Sequence, residues 1–124
     1  DTAFVADFIG EANILPCDIE SVKDGTAKVR IDGLTVSLPA RGLAKGSARL
    51  AVRPNRIVLA PAKSQSGFTG TLNKATYVGS HWEYSVTTAA GEIFAKALDG
   101  DARLTVGGPV AVSFSAEGPV LLPG

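Results

Sequence analysis

Apolar and polar residues alternate in short runs along most of this chain. Ala27, Val29 and Ile31 alternate with Lys28 and Arg30, and Leu34, Val36 and Leu38 alternate with Thr35 and Ser37. A period of two is that of a half-buried strand. Asp24-Gly25 and Asp32-Gly33 bracket the first run as tight-turn signals. Upstream, a β pattern runs from Ala12 to Val22 with a break expected at Pro16. Downstream, Phe68 to Val78 predicts a long strand, Gly79-Ser80 a turn, and His81 to Thr88 a strand with Trp82, Tyr84 and Val86 on one face. Ala89-Ala90-Gly91 turns the chain into Glu92 to Ala97, with Ile93 and Ala95 inward. Pro39 to Gly46, Ala62 to Gly67 and Leu98 to Gly108 are loops. Only the first ten residues keep a different period. Phe4, Val5, Phe8 and Ile9 recur at i, i+1, i+4 and i+5, one face of a short helix that Gly10 would stop.

The stretch from Ala48 to Pro61 organises the rest. Two apolar strands flank a break at Arg53-Pro54-Asn55, where proline fixes φ and withholds a donor. Sixty-two residues later the pattern returns: Ala48 falls on Val110, Leu50 on Val112, Val52 on Phe114, Val58 on Val120, Leu59 on Leu121 and Pro61 on Pro123. A strand pair repeated at one offset predicts two copies of a small β unit. The expected fold is all-β, two fused OB-like small β-barrel units of ten to twelve short strands in total, with a short N-terminal helix. The expected division is a linker helix over 1–10, a first unit over 11–63 and a second over 64–124.

Composition changes this picture little. At 124 residues and 45% apolar content the chain is long enough for a real core. Twelve basic and twelve acidic residues cancel, so bulk charge implies no polyanionic partner. The distribution is uneven. Seven basic residues (Arg41, Lys45, Arg49, Arg53, Arg56, Lys63, Lys74) and no acid lie between Gly33 and Trp82, while acids predominate at both ends. Such a basic waist is either scattered solvated charge or one half of a complementary contact. A single cysteine, Cys17, excludes an internal disulfide. No apolar run approaches the ~18 residues of a membrane-spanning helix. No methionine is present, even at position 1, so the chain is expected to be a piece of something longer.

Candidate chemistry is sparse. Gly42 to Ser47 holds the letters of a phosphate loop in the wrong order, so no P-loop ATPase is expected from this stretch. His81 has Glu83 two residues on but no cluster with metal-ligand spacing, and no nucleophile-elbow sequence accompanies it. No catalytic or metal-ligating residue is therefore assigned. Tyr77, Trp82 and Tyr84 around Gly79-Ser80, with Lys74 nearby, would suit stacking of single-stranded nucleic acid. The alternation of Trp82 and Tyr84 with Glu83 instead favours a core-facing stripe.

Several stretches together resemble a known family. Phe4 to Leu15 is similar to the joint where the ATPase domain of ABC importers hands over to its C-terminal domain, and Ala51-Val52-Arg53-Pro54-Asn55-Arg56-Ile57 resembles that domain's apolar-Arg-Pro-Glu signature. Gly70-Thr71-Leu72, Tyr77-Val78-Gly79 and Gly107 to Leu122 match its second half in order and spacing. The resemblance is to the TOBE-type regulatory domain of spermidine/putrescine-, iron(III)- and sugar-type importer ATPase subunits. It departs from the family at Asn55, where Glu is usual. The resemblance implies a non-catalytic regulatory and dimerisation domain. Its partners would be a second copy of the same subunit and, through an ATPase domain, permease subunits, with no nucleic acid. ATP and magnesium would belong to that ATPase domain, and no cofactor is expected in this stretch. The place would be cytoplasmic, on the inner face of the membrane. Candidate interface or regulatory positions are Arg53, Pro54, Asn55, Arg56, Tyr77, Gly79, His81 and Trp82. The alternative is an oxyanion-binding module, since related TOBE-type domains bind molybdate between subunits.

Overall fold

The computed structural model describes residues 12–63 and 67–124. The helix expected over the first ten residues lies outside them. The described chain is all β, ten strands and one 3-10 turn. The strands are β1 (Asn13–Lys23), β2 (Thr26–Ile31), β3 (Leu34–Pro39), β4 (Gly46–Val52) and β5 (Ile57–Pro61), then β6 (Phe68–Tyr77), β7 (Trp82–Thr88), β8 (Gly91–Ala97), β9 (Pro109–Phe114) and β10 (Val120–Pro123). The 3-10 turn, Pro54–Arg56, sits between β4 and β5. All ladders among them are antiparallel.

Local pattern explains the strands. β2 buries Ala27, Val29 and Ile31 and exposes the residues between. Asp24 (φ 52°) and Gly25 (φ 77°) give the two left-handed residues that a two-residue hairpin loop requires. β1 does not break at Pro16, which pairs with Arg49 in the ladder to β4. The ladder to β2 begins only at Asp18. Pro16 therefore stands where β1 is paired on one side, the edge situation in which a strand tolerates proline.

The two apolar strands on either side of Arg53-Pro54-Asn55 are not partners. One sheet has the order β10-β4-β1-β2-β3 and the other β5-β9-β6-β7-β8. The last strand of each sequence repeat thus crosses into the other sheet. β5 pairs with β9 from Ile57↔Phe114 to Pro61↔Val110, and β10 pairs with β4 from Val120↔Ala51 to Pro123↔Ala48. Flanked on both edges, β4 buries Leu50, Ala51 and Val52 in succession, and β9 buries Val110, Ala111 and Val112. Consecutive burial means that both faces are covered at these points. A bulge interrupts the first hairpin of each half, between Ile19 and Ser21 and between Leu72 and Lys74. Bulges sharpen strand curl, and each sheet bends until its two edges approach, β3 towards β10 and β5 towards β8. One continuous apolar cluster, from Leu15, Ile31 and Leu50 to Leu72, Val86 and Val112, runs through both halves.

Candidate functional site

The two crossing arms meet. The first arm leaves β4 at Arg53, extended at φ −67° and ψ 149°, and Pro54 is buried at the first position of the 3-10 turn, where its missing N–H is not needed. The Arg56 N–H donates to Arg53 C=O at 2.9 Å, and Arg56 C=O accepts from the N–H of Ser115 in the second arm at 2.9 Å. A Cβ on Gly118 would lie 2.9 Å from Arg56 Cβ and 3.0 Å from Ser115 C=O, so the arms touch through bare backbone. Arg53 and Arg56 share a small depression of about 200 Å³ with Ala12, Glu117 and Gly118. Asn55 faces elsewhere. It lines a groove of about 570 Å³ with Val58, Leu59, His81, Lys96 and Leu98. The structure therefore brings Asn55 and His81 together and places the two arginines in a separate recess.

His81 is tied into its own turn. Ser80 Oγ lies 2.8 Å from Nδ1, and Nε2 lies 3.1 Å from Glu83 Oε2. Serine, histidine and carboxylate in that order echo a hydrolytic triad, yet Ser80 is exposed on an open turn that excludes no water. Among the described residues no three His, Cys, Asp or Glu side chains gather to hold a metal ion. Gly79 (φ 95°) shapes the turn, its C=O accepts from Tyr77 OH at 3.0 Å, and Val78 N–H donates to His81 C=O at 3.0 Å.

The aromatic residues form a row. Tyr77 and Trp82 centroids lie 5.5 Å apart, and Trp82 stacks on Tyr84 at 6.2 Å. Tyr84 is buried, and burial pushes its phenol up, opposed by a backbone hydrogen bond from Asp101 and helped by the Asp101 charge. Trp82 is half-buried, pressed so closely by the loop after β8 that a Cβ on Gly100 would lie 2.7 Å from its Nε1. Asp101 closes that loop through a paired contact with Arg103 (3.0 and 2.9 Å), whose hydrogen bonds hold its carboxyl below the usual range. Only Tyr77 of the three rings stands out in solvent, so the row is a wedge in the fold rather than a platform for successive bases.

One residue that pattern reading passed over does more than any of these. Asn13 is buried at the start of β1. Its amide nitrogen donates to Val52 C=O (3.1 Å) and Phe94 C=O (2.8 Å), and its carbonyl accepts from Phe94 N–H (2.7 Å). A single side chain thus behaves as a peptide unit of β8 and fastens the first sheet to the second. The available signal was an amide on the inward stripe of Leu15, Cys17 and Ile19. Cys17 itself is inert: burial, with Asp18 adding, pushes its thiol up to about 11.

Comparison with known proteins places these features. The family profile described as "TOBE domain" matches residues 50–122. The "Fe(3+) ions import ATP-binding protein FbpC" of Brucella abortus (strain 2308) is 38% identical over 121 residues, 98% of this chain and 34% of that protein. "FbpC 1" of Rhizobium meliloti (strain 1021) is 41% identical over 123 residues, 99% of this chain and 35% of that protein. The "Spermidine/putrescine import ATP-binding protein PotA" of Ruegeria pomeroyi is 34% identical over 119 residues, 92% of this chain and 32% of that protein. The chain spans about a third of the length of these curated relatives. Among solved structures, the cytoplasmic molybdate-binding protein ModG superposes with a TM-score of 0.71 at 18% identity, covering 90% of this chain and 96% of that one. This is a likeness of fold.

Proposed function

Because this chain belongs to the TOBE domain family, we propose that it is the non-catalytic regulatory and dimerisation domain of the ATP-binding subunit of an ABC importer. One observation carries the reading: relatives named as import ATP-binding proteins match nearly the whole chain, yet it accounts for only a third of each. Hydrolysis then belongs to the remaining two-thirds, with ATP and magnesium held there. Each curled sheet, completed by a strand from the other half, serves as an OB-like barrel, and the pair forms one rigid block on the importer's cytoplasmic face. Contact with permease subunits would run through the ATPase domain. A two-fold pairing of such blocks keeps two motors at a fixed separation while they open and close.

The likeness to ModG supports the fold and not an oxyanion site, which keeps that alternative behind. The test uses the full-length subunit. Deleting this stretch is expected to leave nucleotide binding within about twofold of wild type while uptake by the assembled importer falls and loses its regulation. Uptake and regulation unchanged by the deletion would overturn the reading, as would micromolar nucleotide binding by this chain alone.

A further inference from the structure

The loop between β8 and β9, Leu98 to Gly108, is fastened through its backbone. Leu72 N–H donates to Gly108 C=O (2.9 Å) and Leu72 C=O accepts from Gly107 N–H (2.7 Å), which carries the β6–β9 ladder on into the loop. Leu104 N–H donates to Asp101 C=O at 3.0 Å. Held in this way, the loop does not fill the space beside the aromatic row. Its Gly100 and Ala102 are small, and a cavity of about 440 Å³ remains between them and Trp82, Tyr84, Asp101 and Leu104. A mostly apolar cavity of this size with a few polar groups suits a small molecule.

The polar groups say which kind. Trp82 is half-buried, and the nitrogen edge of its indole meets Gly100, a wall of the cavity. Among the described residues nothing accepts from that N–H, although an indole shielded from water ordinarily has a partner. The Tyr84 oxygen accepts from the Asp101 N–H, which leaves its own proton to donate. Asp101 is the one charged residue of the lining, and Arg103 already matches it through contacts of 3.0 and 2.9 Å. The cavity thus offers an aromatic wall, two donors and a carboxylate with lone pairs to spare, at no net charge. A polyamine would find ring faces but no uncompensated anion, and an anion would meet Asp101. What matches is a neutral ring with apolar C–H faces and hydroxyls around its rim.

We propose that the cavity between Trp82 and the β8–β9 loop binds a sugar, a neutral pyranose whose apolar face lies on the indole and whose hydroxyls accept from Trp82 N–H and donate to Asp101. The inference is separate from the dimerisation reading and needs only this chain.

Trp82 is the only tryptophan, so the chain has a single indole N–H resonance, and that resonance is the readout. Titration with glucose or maltose through the millimolar range is expected to move it saturably, while spermidine leaves it in place. Asp101→Asn should raise the dissociation constant of the sugar about tenfold. Ala102→Phe, at an exposed position of the loop, should abolish the shift by filling the cavity, with the melting midpoint of the chain retained. A resonance unmoved by both sugars would overturn the proposal, as would a shift that survives Ala102→Phe or is indifferent to Asp101→Asn. Sugar-induced changes confined to other resonances would place the ligand elsewhere and also overturn it. A shift with spermidine at lower concentration than with either sugar would give the cavity to a cation instead. The uptake assay is independent of these titrations, so failure of the sugar site and failure of the regulatory role are separately visible.

Discussion

Asn13 shows how much of this fold hangs on single polar atoms. Replaced by alanine, it would take away the side-chain partner of Phe94 N–H and of the Val52 and Phe94 carbonyls, at a buried to half-buried seam between the sheets. The expected loss is about 2–3 kcal/mol, read as a lower urea midpoint with an unchanged slope. Asn13→Asp should recover little, since a carboxylate accepts from Phe94 N–H but cannot donate to either carbonyl; recovery of the full midpoint would show that the donors do not matter. That Asn13 points inward was legible, because it continues the Leu15–Cys17–Ile19 stripe. Its partner was not, because Phe94 lies eighty-one residues away and contributes only backbone, which no residue pattern records. Gly100 was hidden for the same reason. Its meaning is the close approach to Trp82 Nε1, a contact between a loop and a strand that no local signal joins.

At the scale of elements, the alternating strands were legible almost residue by residue, β2 and β8 most cleanly, because a period of two with Gly-marked turns has few other readings. Pro16 misled, since proline interrupts a strand only where a ladder bond is lost, and which side of β1 is paired is a tertiary fact. The exchange of β5 and β10 was equally invisible: a strand that crosses to the other sheet has the same alternation as one that stays. What the sequence did mark was the first place of crossing, at Arg53-Pro54-Asn55, and through the repeat its counterpart sixty-two residues on. The arms pack with no room for a side chain at Gly118. Gly118→Ala is therefore expected to cost about 1–3 kcal/mol by overpacking, seen as a lowered melting midpoint; an unchanged midpoint would mean that the arms separate freely.

For the whole molecule, the exchange makes two repeats into one cooperative unit. Without β10 the first sheet ends at β4, whose buried Leu50-Ala51-Val52 run would face solvent, and without β5 the second ends at β9 with Val110-Ala111-Val112 exposed. Intact chain should melt in a single transition. Residues 1–63 and 64–124 prepared separately should show little native tertiary signal, and mixing them should restore it. Two halves that each fold alone, or two separate transitions, would contradict this account. Of the candidate positions singled out in sequence, the structure unites Asn55 with His81 in one groove, sets Arg53 and Arg56 beside Glu117 in another recess, and turns Trp82 into a half-buried wedge. Residue type alone flagged them as notable; only the path of the chain decides which of them share a surface.

The tie between Asn13 and β8 has a mechanical meaning. Tension hauled along the backbone into Ala12 reaches, one residue later, an anchor sunk in both sheets. β1 is then loaded in shear with the far half already engaged, instead of being unzipped from one end. Whatever tugs or twists at that end swings both halves as a single rigid body.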